Sequence, residues 1–271
     1  MKKLAVVYFG LPRNSSVCYP SVEKNFYAQV PDGFCVESFY HFYQQAFVDN
    51  PRSGERGALA SENYQVFSGM KGQLETPGEC LVSWPVAEIK RYGDAWKDEY
   101  KSFSNLIHQL NSLHRVTQQV RQYDPDVVVF LRPDLVYMDP FPQAAIHAVA
   151  AKPCAIYVPN WQWWNGLNDR FSLCGRSVYL AYGMRLEQAL DYCGTSGRPL
   201  HAERLLRYVM AQAGAKLHTL DVRAARVRIN GEIVDEEFSS KRSMGRRENR
   251  YAHAMASFRS ALDRFYFGSR K

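Results

Sequence analysis

Residues 100–131 constrain the fold more than any other stretch. Tyr100, Phe103, Leu106, Ile107, Leu110, Leu113, Val116 and Val120 fall at spacings of three and four, the period of an amphipathic helix of about six turns. Asp124-Pro125 then ends helical geometry, because a proline bars the residue before it from the α region. The next five residues, Val127, Val128, Val129, Phe130 and Leu131, contain nothing polar, as befits a strand buried on both faces. A long helix, a tight link and a doubly buried strand make one αβ unit. The expected class is α/β, with a mostly parallel central sheet flanked by helices.

Other segments extend this pattern. Residues 4–9 read as a first core strand, the parallel neighbour of 127–131. The opening MKKLAVVYFG has the charge and apolar run of a signal peptide, but Pro12 and Arg13 interrupt it and no small-residue cleavage site follows. A short helix is expected at 21–28. Strands are expected at 34–42, 154–158, 171–175, 216–220 and 226–229, and helices at 176–192 and 201–213. Residues 50–78, rich in Gly, Ser, Pro and charge, read as a long surface insertion, disordered or lid-like. The reading is one domain over 1–240, followed by a basic tail, 241–271, with an amphipathic helix at 250–266.

Charge and cysteine usage narrow the function classes. Between Lys241 and Lys271, nine Lys/Arg stand against Glu248 and Asp263, a surplus equal to the +7 of the whole chain. The remaining body is neutral, which argues against a nucleic-acid-binding surface. The six cysteines (Cys18, Cys35, Cys80, Cys154, Cys174, Cys193) form no CxxC pair and signal neither zinc nor a disulfide framework, so they read as reduced thiols of a cytosolic protein. No segment approaches the roughly 18 apolar residues of a membrane span.

In open α/β sheets ligands settle beyond the carboxyl ends of the strands. The first such end carries Gly10, Arg13, Asn14, Ser15 and Ser16: a glycine for close backbone approach and donors suited to phosphate oxygens. An ordinary turn with a solvated arginine accounts for it equally well. The second end carries Arg132-Pro133-Asp134, where a cation and a carboxylate leave a core strand. An internal ion pair is the plainer alternative, but the buried strand before it favours a crevice. Trp161, Trp163 and Trp164 crowd into a loop with Gly166, Asn168, Asp169 and Arg170, a composition suited to stacking on a sugar or base as well as to core packing. His201 and Glu203 open a helix, where an acid also favours the helix dipole. Arg223, Arg226 and Arg228 precede the Asn230-Gly231 turn; Arg226 and Arg228 could reach a diphosphate together or guard an edge strand.

The segments YFGLPRN, SNLIHQLNSLHRV, FLRPDL, YVPNWQWWNGLNDRFSLCGR and LHAERLL, in this order, resemble GT-A-type nucleotide-sugar-dependent glycosyltransferases, in particular a group from bacteria, viruses and plants. The similarity runs from about residue 3 to about residue 235. It implies a GT-A-like (Rossmann-like) sheet, a nucleotide-diphosphate sugar as donor and a glycan or lipid-linked acceptor. In that family a DxD motif follows a core strand, and its second carboxylate touches Mg²⁺ or Mn²⁺. Here Asp134 holds the second position while Arg132 replaces the first, so a metal at Asp134 and a guanidinium on the diphosphate are both open. The literal Asp124-Pro125-Asp126 precedes the strand and belongs to the opposite edge of the sheet. By resemblance Gly10, Arg13, Asn14, Arg132, Asp134, Asn168 and Arg170 bind the donor, Trp161, Trp163 and Trp164 stack on sugar, and Asp169 or Glu203 is catalytic. Two alternatives remain. One is sulfotransfer from a phosphosulfate nucleotide, suggested by LPRNSS but weakened by the Val17-Cys18-Tyr19-Pro20 that follows. The other is a carbohydrate-binding protein without chemistry. The expected location is cytoplasmic, with peripheral contact to anionic membrane through the tail.

Overall fold

In the computed structural model, which describes residues 1–50 and 54–239, the helix and strand expected within 100–131 are both present. The helix starts where the Asp98 carboxylate accepts from the Ser102 amide at 3.2 Å and from its hydroxyl at 2.6 Å. Asp124, in left-handed backbone at φ 53°, ends it before Pro125. The strands are β1 (Lys2–Gly10), β2 (Phe34–Tyr43), β3 (Phe47–Asn50), β4 (Glu55–Ala58), β5 (Lys71–Glu75), β6 (Val127–Leu131), β7 (Leu135–Tyr137), β8 (Ala155–Pro159), β9 (Ser172–Gly175), β10 (Lys216–Leu220) and β11 (Ala224–Arg226). The helices are α1 (Ser15–Asn25), α2 (Glu62–Gln65), α3 (Cys80–Ser83), α4 (Val86–Lys90), α5 (Lys101–Tyr123), α6 (Gln143–Ala151), α7 (Tyr179–Gly183), α8 (Ala189–Ser196) and α9 (Ala202–Gln212).

Seven strands form one sheet in the order β10-β8-β9-β6-β1-β2-β5. All pairings are parallel except those of β9, which runs antiparallel to both β6 and β8. Alternation along β1 divides the core. Ala5, Val7 and Phe9 face a layer built on α5, with Leu106, Ile107 and Leu110. Leu4, Val6 and Tyr8 face a second layer holding Val22 of α1 and Ile146 and Val149 of α6. Because α1 and α5 cover opposite faces, the connections leave β1 and arrive at β6 in opposite senses. The loops after β1 and β6 therefore flank a topological switch point, where open α/β sheets form a crevice.

Several expectations are corrected. Residues 54–78 are not a structureless insertion: β5 lies within them and extends the central sheet, and β4 pairs with β3 in a ribbon of its own. The helix expected at 176–192 is broken into α7, a 3₁₀ turn at Arg185–Gln188 and α8. The strand expected at 226–229 is β11, ending at Arg226 and paired with β7. The first helix begins at Ser15, directly after Asn14, rather than at 21. The tail helix expected at 250–266 lies outside the described residues. Among the described residues, no helix is long and apolar enough to cross a membrane.

Candidate functional site

The site begins with the two switch-point loops. Gly10, at φ +100°, ends β1, and its amide donates to the Ser112 hydroxyl of α5 at 3.0 Å. The chain then turns so that Arg13 points inward. Its Nη2 meets Asp134 Oδ2 at 2.5 Å and its Nη1 meets Glu55 Oε2 at 2.6 Å. Arg132 closes on the same carboxylate, Nε to Oδ1 at 2.9 Å and Nη2 to Oδ2 at 2.8 Å. Asp134 is thus fully buried between two guanidiniums. Burial alone would raise its pKa; Arg132 and Arg13 outweigh this and hold the carboxyl well below the usual range. Burial likewise disfavours the Arg132 cation, and Asp134 more than restores it.

This donor set does not fit a divalent cation at Asp134. Both carboxylate oxygens are already taken, and the nearest groups are positive. Among the described residues, no group of three or more His, Cys, Asp and Glu could hold a metal ion. The metal role anticipated for Asp134 is replaced by that of an ionic brace for Arg13 and Arg132.

A second set of charges joins the first through α5. Gln109 accepts from Arg132 Nη1 at 2.7 Å and donates from Nε2 to Asp169 Oδ2 at 3.3 Å. Asp169 precedes β9, whose antiparallel course starts at the same rim where β6 ends. Its Oδ2 also lies 3.3 Å from Arg185 Nη2, a fully buried guanidinium stacked 4.7 Å over Tyr182. Burial, followed by the charge of Glu203, raises the Asp169 pKa against the pull of Arg185, Arg132 and Arg170. Glu203 moves the other way: burial would raise it, but His201, with Nδ1 3.1 Å from its Oε2, and Arg170 bring it down. Two neighbouring carboxyls with opposite displacements suit acid–base division of labour.

Asp169 lies in the loop between β8 and β9, which packs on the start of α9 where Glu203 stands. Gln162, Trp164 and Asn165 all have φ between 46° and 62°, a left-handed run in residues other than glycine and a costly backbone. Gly166 packs on the start of α9 so closely that a Cβ there would stand 2.0 Å from the Glu203 carbonyl carbon, and the Leu167 amide donates to the Glu203 carbonyl at 2.9 Å. Two of the three tryptophans are not stacking platforms. Trp161 is 1% exposed, donates its indole N–H to the Val222 carbonyl and lies under the Arg170 guanidinium at 4.8 Å. Trp163 is buried, with its N–H on the Pro159 carbonyl. Trp164 alone offers area, at 49% exposure.

Asn168 is also corrected. It is fully buried, bonding the Trp161 carbonyl through Nδ2 and accepting the Arg170 amide, so it braces the loop. Arg170 turns inward to Gln162 and Glu236. Asn14, left-handed at φ 47°, donates its amide to the Arg228 carbonyl. Arg226 and Arg228 do not act together: Arg226 Nε meets Glu236 at 2.7 Å and Arg228 Nη1 meets Glu55 at 2.6 Å. Arg223 pairs with Asp139. As expected, Asp124 and Asp126 belong to the opposite rim, where they bind Arg176 and the Lys3 amide.

Glu55, Gln109, Arg185 and Glu236 were not anticipated. None carried a signal: Gln109, for example, is one of several polar residues between the apolar positions of α5. An open groove of about 730 Å³ lies elsewhere, between the β2–β5 edge and the later turns of α5, lined by Glu37, Phe39, Lys71, Arg115 and Tyr123 among others. It contains none of the anticipated site residues.

No family model matches the chain, and no curated protein matches it in sequence. Among solved structures it is similar to mouse xyloside xylosyltransferase 1 in the apo form, at 12% identity over 81% of this chain and 85% of that one, with a TM-score of 0.43. No residue role is carried over from that likeness.

Proposed function

We propose that the chain transfers a sugar from a nucleotide-diphosphate sugar to a glycan or lipid-linked acceptor. The observation that carries this reading is the meeting of Arg13, Arg132 and Asp169 at the switch point through one connected set of polar contacts. The ordered sequence resemblance points the same way. Arg13 and Arg132 hold the diphosphate, whose leaving oxygen gains negative charge as the sugar–phosphate bond breaks. Asp169 takes a sugar hydroxyl. Glu203, kept ionised by His201 and Arg170 and with 15% of its side chain exposed, accepts the proton of the attacking acceptor hydroxyl. The acceptor oxygen then bonds to the anomeric carbon and the nucleoside diphosphate departs. The basic segment 241–271 brings this site to anionic headgroups beside a lipid-linked acceptor.

The test is release of nucleoside diphosphate from a panel of sugar nucleotides by the purified chain. Glu203→Gln is expected to lower turnover by about 10²–10⁴-fold with little change in donor KM, while Asp169→Asn raises donor KM. Absence of both binding and hydrolysis across the panel overturns the reading. The closure of Asp134 between two arginines favours one other reading, a carbohydrate-binding protein without chemistry. Such a protein keeps its glycan affinity in Glu203→Gln and turns over no donor in either form.

A further inference from the structure

Glu55 sits as an anion among donors that a phosphate would use. Its Oε2 accepts from Arg13 Nη1 and Arg228 Nη1, each at 2.6 Å, and its Oε1 accepts the Ile229 amide at 3.1 Å. Two guanidiniums and a backbone N–H converging on one buried carboxylate make an anion cradle. The backbone of the cradle and the position of Arg13 are held by contacts other than Glu55. The Asn14 side chain donates to the Arg228 carbonyl, the Val227 amide donates to the Asp134 carbonyl at 2.9 Å, and Asp134 holds Arg13 from the other side. The segments carrying Arg13 and Arg228 are therefore joined directly.

Glu55 itself opens β4, one of two four-residue strands in a ribbon separate from the central sheet. A ribbon of that size has little stability of its own and opens locally at low cost. Charge fits an exchange as well: withdrawal of Glu55 takes away the carboxylate that Arg13 and Arg228 share, and an incoming diphosphate restores negative charge between them.

We propose that Arg13, Arg228 and the Ile229 amide form the diphosphate-binding cradle of the donor site, and that Glu55 occupies it as an internal competitor which the ligand displaces. This rests on the sugar-nucleotide reading and adds to it Arg228, Ile229 and a self-blocked resting state. No covalent step is involved.

Calorimetric titration of the full chain with inorganic pyrophosphate tests it, comparing the unsubstituted protein, Glu55→Gln and, as a control for general charge, Glu62→Gln on exposed α2. Glu55→Gln is expected to bind pyrophosphate at least about tenfold more tightly, because the competitor's charge is gone. Glu62→Gln is expected to change affinity less than about twofold. Hydrogen exchange on the unsubstituted chain gives a second measure that needs no variant: saturating pyrophosphate should speed exchange across residues 55–58 several-fold. Equal or weaker pyrophosphate binding by Glu55→Gln, no binding by either form, or unchanged or slowed exchange at 55–58 overturns the inference. A nucleotide-sugar panel run beside it separates the two ideas. Tighter pyrophosphate binding with no sugar nucleotide bound leaves the cradle and removes the transferase reading, and turnover of a sugar nucleotide without tightening does the reverse.

Discussion

A carboxylate that accepts three hydrogen bonds from two guanidiniums at zero exposure is kept ionised by them, and Asp134 is in that position. Its contribution to stability has a definite sign with pH. Because its folded pKa is depressed, the contribution is complete above the unfolded carboxylate value of about 4 and is lost as pH falls toward the folded value. Asp134→Asn leaves one buried and one largely covered cation, Arg13 and Arg132, short of a partner, which costs about 3–5 kcal/mol. Urea unfolding at pH 7 should report that loss, and a series below pH 4 should show a flatter acid dependence in the variant; equal stability at pH 7 would refute the brace. The sequence marked Arg132 and Asp134 because charges after an apolar strand are conspicuous. It marked Arg13 as well, as a donor after the first strand, but could not pair it with Asp134, since the two lie 121 residues apart and only the parallel pairing of β1 with β6 brings them together. The choice between a metal and a guanidinium at Asp134 stayed open in the sequence for the same reason: the donor set around a carboxylate is a tertiary property.

Among elements, legibility followed periodicity and burial. β6 and β10 were found at their observed bounds and α5 within one residue; β6 is apolar throughout and α5 periodic throughout, whereas in β10 Leu220 is the one buried residue. β5 was missed because it is an edge strand with no buried residue, so its sequence carries no alternation. The direction of β9 was hidden too. The link from β8 lacks a helix, and without a crossover the chain returns antiparallel. The tryptophans of that link were read as a platform, whereas Trp161 and Trp163 anchor the loop, which carries Asp169 and packs against Glu203 of α9. The loop reaches α9 through Gly166, where added bulk meets backbone instead of a movable side chain. Gly166→Ala should therefore cost about 1–3 kcal/mol and displace Glu203 from the loop. If Glu203 is the base, donor turnover falls with it while pyrophosphate affinity, set at the cradle, holds. Unaltered stability in thermal and urea unfolding would show that the loop and helix can part without penalty.

At the scale of the molecule, one sheet serves two apolar layers. β6 supplies Phe130 to the layer under α5 and its neighbour Leu131 to the layer under α1 and α6, so successive residues belong to different cores. Phe130 stacks on Tyr182 at 4.5 Å, and the Tyr182 hydroxyl donates to the Asp169 carbonyl at 3.2 Å, so the first layer runs directly into the site. Neither layer has a boundary of its own, because the strands that would have to separate share hydrogen bonds with β1 on one side and β9 on the other. The two cores should then be lost together. Phe130→Ala is expected to cost about 3–5 kcal/mol and Leu131→Ala about 2–5 kcal/mol, and each should move one common unfolding transition. Near-ultraviolet circular dichroism, dominated by the aromatic packing, and far-ultraviolet signal from the helices should shift to the same midpoint in both variants. Two separated midpoints, with Phe130→Ala affecting one and Leu131→Ala the other, would mean that the layers fold independently.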